Sequence, residues 1–583
     1  MVWKGYIRMS DKLTAYRRAD APLPSTHRLW PLYGAGLENL GRDGRPIEVP
    51  LPSFGPDELL VRHDACGLCF SDIKVIKQGQ NHPRIFRDIA ADPIVLGHEV
   101  SMTVVGVGER LRDQYRVGDR FIIQADIRVN GVGYAYGYMI QGGLSQYNVI
   151  DQRILNGDDG NYLIPVRPTT GYVESALVEP WACVIAAYRL QYRTGLKPGG
   201  TLWVVGPAQT PVDEPAYTIG AGFDEAAHPA RLALTRVPPR FAEWLKSRAA
   251  RLGIEVQETD DLTAPPFAPV DDLVLLEPTA DTIETTSPHL ADFGVAALVG
   301  NLHLSRPVSL DIGRVHYNRW VYVAGKGPDV ARAYSDVPVR SSLREGGRAL
   351  FVGAGGPMGR MHVQRAVQLA RGKGPSVIVC SDVSDMRLAD LCTSYAAEAE
   401  AKGVRWLCVN PTNREAYQSA MAEFESGGFD DIIVLAPIPA VIADAARLLA
   451  PRGVMNVFAG VTRGTMVELD LNRLFERDNR IIGHSASDIE DMQVMLMQVE
   501  SHELDTNRSL AAVGSLDAAR EGMQAVIDTA FPGKVVIFPH IKDLPLTPLA
   551  ELKEKMPSVY SLLKDGREWT NAAEEEFLRL MLP

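Results

Sequence analysis

The sequence predicts a β-rich domain joined to tandem doubly wound α/β units. Three observations predict it: a stretch of short alternating runs at close spacing, a later alternation of apolar strands with amphipathic helices, and an internal repeat. At roughly 150 residues per domain, 583 residues exceed what a single hydrophobic core uses. The expected organisation is residues 1–198, a β-rich domain; 199–340 and 341–505, two α/β units; and 506–583, a return to the first domain with a helical extension.

Residues 44–165 hold the runs ELLVRHDA, SMTVVGVG, DRFIIQAD, LSQYNVI and YLIPV, separated by Gly, Pro and Asp turns. That pattern fits an irregular β-barrel better than a helical domain. From Glu179 the segment EPWACVIAAYRLQ reads as a helical apolar run that ends at GLKPGG. Beyond it, apolar strands of five or six residues alternate with amphipathic helices, as parallel α/β layers require.

The repeat lies in this α/β half. One spacing of 159 residues separates Asp271 from Asp430, Asp311 from Asp470 and Arg314 from Arg473. Two chance motifs rarely share one register over so long a block. The lead-ins GGTLWVVG (199–206) and GGRALFVG (346–353) also match at a spacing of 147, so the second copy carries about twelve more residues before its Asp-Asp strand than the first.

Only the second copy carries a glycine loop. There Gly353, Gly355, Gly356 and Gly359 follow an apolar strand, and a helix opens at Met358 or Gly359. Glycine suits a tight turn whose backbone must approach a pyrophosphate held by amides at a helix N-terminus. The next strand, PSVIVCSD, ends at Asp382, where a carboxylate can bond the ribose hydroxyls of NAD. With no Arg next to it, Asp382 would repel a 2′-phosphate, so NAD is expected over NADP. The loop has one residue more than GxGxxG unless Ala354 takes the first glycine's role. In the first copy, PAQTPVDEPAYTIGAGFDEAAHPARLALT carries four prolines, and the first three, Pro207, Pro211 and Pro215, oppose a helix. A degenerate unit is expected there, one that keeps its sheet, has lost its nucleotide site and covers the sheet edge of its neighbour.

Composition narrows the function. Sixty basic and 72 acidic side chains give a net charge of −12, a poor match to nucleic acid. There is no run of about 18 apolar residues, and MVWKGYIRMSDKLTAYRRAD lacks a secretory pattern, so a soluble, cytoplasmic chain without membrane partners is expected. Six cysteines do not make a disulfide framework; any that matter are metal ligands or core residues.

Cys66-Gly-Leu-Cys69-Phe-Ser71-Asp72, Gly97-His98-Glu99 and Val178-Glu179-Pro180 follow in order through the β-rich half. A catalytic zinc takes about three S, N and O ligands and keeps one open position. Cys69, His98 and a carboxylate from Glu99 or Glu179 supply that set.

ACGLCFSDIKV, PIVLGHEV, VGDR, GGLSQY, VEPWACVIAAYR, the glycine loop and PGKVVIFP together resemble the medium-chain dehydrogenase/reductase superfamily, specifically its zinc-dependent alcohol and polyol (sorbitol-type) dehydrogenases. The resemblance runs from about 60 to 540, with the degenerate unit as an insertion. It implies a GroES-like catalytic domain and Rossmann-type units, with Cys69 and His98 as ligands, Cys66 packing and Glu99 an adjacent carboxylate able to exchange at zinc. Glu179 stands where the alcohol-dehydrogenase branch has cysteine and points to the polyol branch. Ser71 would relay the alcohol proton and Asp72 would orient the imidazole. GGPMGRMHVQRA is also similar to the sugar-phosphate reductase side of the superfamily. The four-cysteine lobe of many relatives is missing, because residues 124–145 hold no cysteine; one catalytic zinc and no structural zinc are therefore expected.

The expected chemistry is reversible hydride transfer between NAD and a secondary alcohol of a polyol, sugar or cyclitol. Two alternatives remain open: a redox-neutral sugar epimerase or lyase that uses zinc and NAD transiently, and a non-catalytic nucleotide-sensing scaffold. Relatives in the superfamily dimerise edge to edge through their nucleotide-binding sheets. This chain is thus expected to be a homodimer, or a monomer whose duplicated units already form a pseudo-dimer. Two amphipathic helices are expected in PLAELKEKMPSVYSLLKDGREWTNAAEEEFLRLML.

Overall fold

The computed structural model describes residues 12–209, 213–220, 222–301, 303–335, 340–369, 374–484 and 486–583. The chain forms two compact units, one of Met1–Ala186, Gly356–Met361 and Ala486–Pro583, the other of Ala187–Gly355 and His362–Ser485. These units part at 186/187 and 485/486, where the sequence suggested 198/199 and 505/506. Among the described residues no helix is long and apolar enough to cross a membrane.

The alternating runs of the first unit form an eight-stranded sheet. Its path runs Leu163–Pro165, Arg120–Ile123, Glu99–Val107, Leu59–Gly67, Lys534–Phe538, Leu510–Ser515 and Thr547–Pro548, with Tyr147–Ile150 also paired to Leu59–Gly67. Leu59–Gly67 is buried along its whole length, as expected of a strand covered on both faces. The late strand Lys534–Phe538 pairs antiparallel with it, setting Val536 opposite Gly67 and Ile537 opposite Cys66. PGKVVIFP is thereby brought beside the first cysteine motif. Leu59, Val61, Cys66, Ile73, Val100, Met102 and Ile537 share one apolar core, which anchors both motif-bearing segments.

The C-terminal segment differs from the two helices expected. Leu552–Lys555 and Pro557–Tyr560 are short and meet at Met556, whose φ of −143° lies outside the helical range. Pro557 accounts for the break, since the residue before a proline is pushed from the α region. Only Asn571–Met581 is a full helix; it is capped by Thr570 and buries Phe577 and Leu578.

The second unit holds a twelve-stranded sheet. Its strands in chain order are β1 (Thr201–Val205), β2 (Arg231–Thr235), β3 (Glu255–Glu258), β4 (Val270–Leu276), β5 (Leu290–Gly300), β6 (Val321–Lys326), β7 (Arg348–Val352), β8 (Val377–Ser381), β9 (Arg405–Val409), β10 (Phe429–Val434), β11 (Leu449–Val457) and β12 (Arg480–Gly483). Across the sheet they lie in the order 3-2-1-4-5-6, then 12-11-10-7-8-9. Each copy of the repeat is therefore a complete 3-2-1-4-5-6 doubly wound half. All pairings within a half are parallel, and the halves join through an antiparallel contact between β6 and β12.

The junction obeys the repeat spacing. Tyr322 lies opposite Ile481, its own counterpart 159 residues on. In a separate antiparallel ribbon Ser309 lies opposite Glu468, again its counterpart, while Val308 faces Leu469 and Leu310 faces Val467. A residue facing its own equivalent marks a two-fold axis, so the copies are related by a local two-fold inside one chain.

The Asp-Asp pairs owe their repetition to a duplicated staple. Arg193 donates to the Asp272 carboxylate and to Asp271 O, while the amides of Lys197 and Thr201 donate to the carboxylates of Asp272 and Asp271 at 2.8 and 2.9 Å. In the second copy Arg340 pairs with Asp431 and donates to Asp430 O, and the amides of Arg344 and Arg348 reach Asp431 and Asp430 at 2.7 and 2.9 Å. Each staple ties the entry of the first strand of a half to its central strand. Asp272 and Asp431 are both buried, and burial raises their carboxyl groups while the arginines oppose the rise.

No helix lies between β1 and β2 among the described residues, as the prolines there suggest, although residues 210–212 and 221 of that connection lie outside them. Between β7 and β8 the helix Pro357–Gln368 is present. Arg340→Ala leaves buried Asp431 without its cation and is expected to lower stability by about 2–4 kcal/mol, with a smaller loss for Asp431→Asn; denaturant unfolding of the two variants checks the order.

Candidate functional site

Cys69 ends the turn after Leu59–Gly67 and is the N-cap of the helix Phe70–Gln78. The cap sets the geometry of the site. The Cys69 amide donates to Asp72 Oδ2 at 3.0 Å, closing a capping box in which Asp72 is the third helical residue. Asp72 Oδ1 faces His98 Nδ1 at 3.2 Å and accepts weakly from the Gly97 amide at 3.4 Å. One fully buried carboxylate thus fixes the thiol-bearing turn and the imidazole together, and leaves His98 Nε2 for a metal.

Ser71 Oγ lies between the two donors, 3.0 Å from Cys69 Sγ and 3.1 Å from His98 Nε2. Donor atoms of Cys69, His98 and Glu99 all lie within 4.8 Å of one another. A tetrahedral ion with bonds of roughly 2.0–2.3 Å needs its ligands that close. Glu99 Oε2 is a buried acceptor with no hydrogen-bond partner, and thiol, imidazole and carboxylate are the donor types zinc takes. The residues fit the metal.

Glu99 Oε1 pairs with Lys534 Nζ at 2.5 Å, and both side chains are buried. Sequence reasoning gave Lys534 no role. It stands at the start of Lys534–Phe538, and only the pairing of that strand with Leu59–Gly67 carries it to the cluster. Its signal in the sequence is the lysine of PGKVVIFP, one of the motifs that carry the resemblance.

Glu179 occupies the first turn of the helix Val178–Ala186 and is outside the close donor set among the described residues. It feels the same field: burial raises its carboxyl group, His98 opposes the rise and Glu99 adds to it. A cation entering the cluster relieves that penalty. Cys183, one turn further along the helix, has its thiol pushed up by burial. Tyr138 stands edge-on to His98 with ring centroids 6.2 Å apart, and Arg84 lies over Tyr138 while pairing with Asp126 at 2.6 Å.

The glycine loop follows β7. Gly353 has φ of +80°, the left-handed turn that glycine tolerates, so it serves as the first glycine and Ala354 does not. The amides of Gly353 and Ala354 donate to Ser381 O at 2.8 and 3.0 Å, and the Gly355 amide donates to Asp382 Oδ2 at 2.9 Å. A Cβ on Gly355 would come within 2.5 Å of Arg387 Cβ, whereas one on Gly356 would meet nothing within 4 Å. The open side at Gly356 gives a phosphate room to approach the backbone. Met358 and Gly359 lie in the first turn of the helix Pro357–Gln368.

Asp382 follows β8 and is nearly buried, its two oxygens accepting from the amides of Gly355 and Ser384. Arg387, five residues on, packs its stem beside the same carboxylate. No arginine adjoins Asp382 in sequence, yet one adjoins it in space.

Residues 55–156 match the family described as alcohol dehydrogenase GroES-like domain, and residues 364–501 match zinc-binding dehydrogenase. The chain belongs to the zinc-dependent medium-chain dehydrogenases. It is 23% identical to mannitol-1-phosphate 5-dehydrogenase of Aliivibrio fischeri over 542 residues, 91% of this chain and 93% of that enzyme. It is 21% identical to L-sorbose 1-phosphate reductase of Klebsiella pneumoniae over 544 residues, 92% of this chain and 95% of that one. Among solved structures, 2R,3R-butanediol dehydrogenase from Bacillus subtilis superposes with a TM-score of 0.50 at 15% identity, covering 88% of this chain and 99% of that one, a likeness of fold. The two long relatives span the tandem units as well, so this dehydrogenase shares its length with them. In it, Cys69→Ser is expected to abolish zinc retention, and Asp72→Asn to weaken zinc roughly 10–100-fold with the fold intact; competition against a chromogenic chelator checks both.

Proposed function

We propose that this dehydrogenase transfers a hydride between NAD and a secondary alcohol of a polyol or sugar, phosphorylated substrates included. One zinc would be held by Cys69, His98 and a carboxylate from Glu99 or Glu179. The observation that carries the reading is the convergence of thiol, imidazole and carboxylate on one point with Ser71 between them. When bound, zinc supplies Lewis acidity toward a hydroxyl oxygen and the nicotinamide supplies the hydride acceptor.

The chain's own residues do the rest. Asp72 holds the His98 ring so that Nε2 faces the cluster, and Lys534 holds Glu99 by one oxygen, leaving the other available. Ser71 Oγ, at hydrogen-bond distance from both cluster donors, takes the proton of the substrate hydroxyl and passes it outward. Arg84, tied to the cluster through Tyr138, supplies a cation for the anionic end of a sugar phosphate. Two relatives whose names contain a phosphate support that extension. The Gly353–Gly356 turn and Asp382 would receive the pyrophosphate and ribose.

Arg387 favours a second reading at one point. Its stem packs against Gly355 beside Asp382, which brings a cationic side chain to the ribose end of the proposed nucleotide site, so NADP is the competing cofactor. Six free thiols suit a reducing compartment such as the cytoplasm. The local two-fold between β6 and β12 supports a monomer that contains its own pseudo-dimer.

The reading is tested by reduced-nicotinamide production at 340 nm with NAD and with NADP, over polyols, sugar phosphates and cyclitols, using zinc-loaded protein. Turnover on a polyol or its phosphate is expected; tight nucleotide binding with no net reduction on any substrate would overturn it in favour of redox-neutral chemistry. Ser71→Ala is expected to lower kcat by about 10²–10⁴-fold at unchanged zinc content. Light scattering is expected to give the single-chain mass of 63.8 kDa; dimers would count against the internal pseudo-dimer.

A further inference from the structure

Three of the six cysteines lie together at the outer end of the sheet, away from the zinc motifs in sequence. Cys380 and Cys408 are paired neighbours on β8 and β9, and Cys392 stands on the helical segment that links these strands. Cys392 Sγ and Cys408 Sγ are 2.8 Å apart. None of the three is joined in a disulfide. Cys380 is fully buried, whereas Cys392 and Cys408 are only partly covered and can meet a small solute.

The surroundings prepare this pair unequally. Cys380 directs its S–H at Cys408, and Cys392 and the Trp406 indole add to the effect. Together they hold Cys408 below the ordinary thiol range against the opposing pull of burial. Burial pushes Cys392 the other way, up to about 11. Trp406 Nε1 also donates to Cys392 Sγ at 3.3 Å. A thiolate-leaning cysteine beside a protonated one is the arrangement of an attacking and a resolving thiol. Cys392 also opens a π-helical turn, Cys392–Ala396, inserted between Asp385–Leu391 and Ala397–Ala401. Such insertions reposition one side chain without ending the helix and recur at functional sites.

We propose that Cys408 and Cys392 form a reversible peroxide-oxidisable dithiol, a modification site separate from the zinc cluster. The Cys408 thiolate attacks one oxygen of hydrogen peroxide; the O–O bond breaks, hydroxide leaves and Cys408 becomes a sulfenic acid. Cys392 sulfur then attacks Cys408 sulfur; the S–S bond forms, the S–O bond breaks, and the hydroxyl leaves with the Cys392 proton as water. In sum two thiols lose two protons and two electrons, and one peroxide becomes two waters. The crosslink ties the linking helix to β9, beside the rim where Asn410 donates to Val383 O and to Asp385 at 3.2 and 2.8 Å. That rim follows directly on Asp382.

The zinc-loaded full chain is treated with hydrogen peroxide, blocked with N-ethylmaleimide in denaturant and digested without reductant for mass spectrometry. A peptide pair linked through Cys392 and Cys408, lighter by two hydrogens and restored by dithiothreitol, is the expected product, with Cys380 found alkylated. In Cys392→Ser the Cys408 sulfenic acid is expected to persist and to be captured by dimedone, a signal at least about tenfold weaker in the wild-type chain. Before oxidation Cys408 is expected to alkylate faster than Cys392 at neutral pH. The proposal is overturned if Cys408 passes to sulfinic acid with no linked peptide, if the link runs to Cys380, or if both thiols stay alkylatable under excess peroxide.

Discussion

The buried carboxylate of Asp72 is the constraint on which the metal cluster depends. It closes the N-terminus of the helix that begins at Cys69 and also fixes the ring of His98, which arrives from the loop before Glu99–Val107. A ligand on a helix cap and a ligand on a strand entry would otherwise move independently. Because the same carboxylate accepts from both, a shift of the helix is a shift of the imidazole. The thiol and the ring nitrogen are thereby held near their mutual distance before any ion arrives, and preorganisation of that kind is what makes a site bind rather than merely permit.

The second half of the cluster depends on long-range pairing. Glu99 is buried with Lys534, and an unpaired charge at either position would be costly. Residues more than four hundred apart must therefore meet, which they do because Lys534–Phe538 joins the sheet beside Leu59–Gly67. The closing strand of the first unit is in this sense part of the site.

Much of this was legible in the sequence because the signals were local or periodic. CxxC, Gly-His-Glu and the glycine run name their residues directly, and the 159-residue register exposed the duplication. Ser71 and Asp72 were named through the family resemblance alone; that they stand on the opening turn of a helix is a property of the fold. Lys534, Arg387 and the Arg193 and Arg340 staples were not legible, because each acts through a neighbour that chain folding supplies. Arg387 shows the limit well: five positions separate it from Asp382, and only the turn into the next helix brings its stem against Gly355. The break at Met556 lay within local reach, since the proline that causes it is the next residue. The unpaired Glu99 oxygen and the half-buried Glu179 are a different case, since burial is a property of the folded whole.

The local two-fold has a consequence for what this interface is free to become. In a dimer of identical chains, a residue on the axis must face a copy of itself, so any change there is made twice and must tolerate itself. Here Ser309 faces Glu468 and Tyr322 faces Ile481. No pair of identical subunits could present those combinations. Within one chain each side can vary alone: one half has the glycine turn and a helix after its first strand, the other has no helix after β1 among the described residues, and a substitution on one side leaves its counterpart untouched. The joint between the halves carries a heterodimer's freedom at a fixed one-to-one ratio.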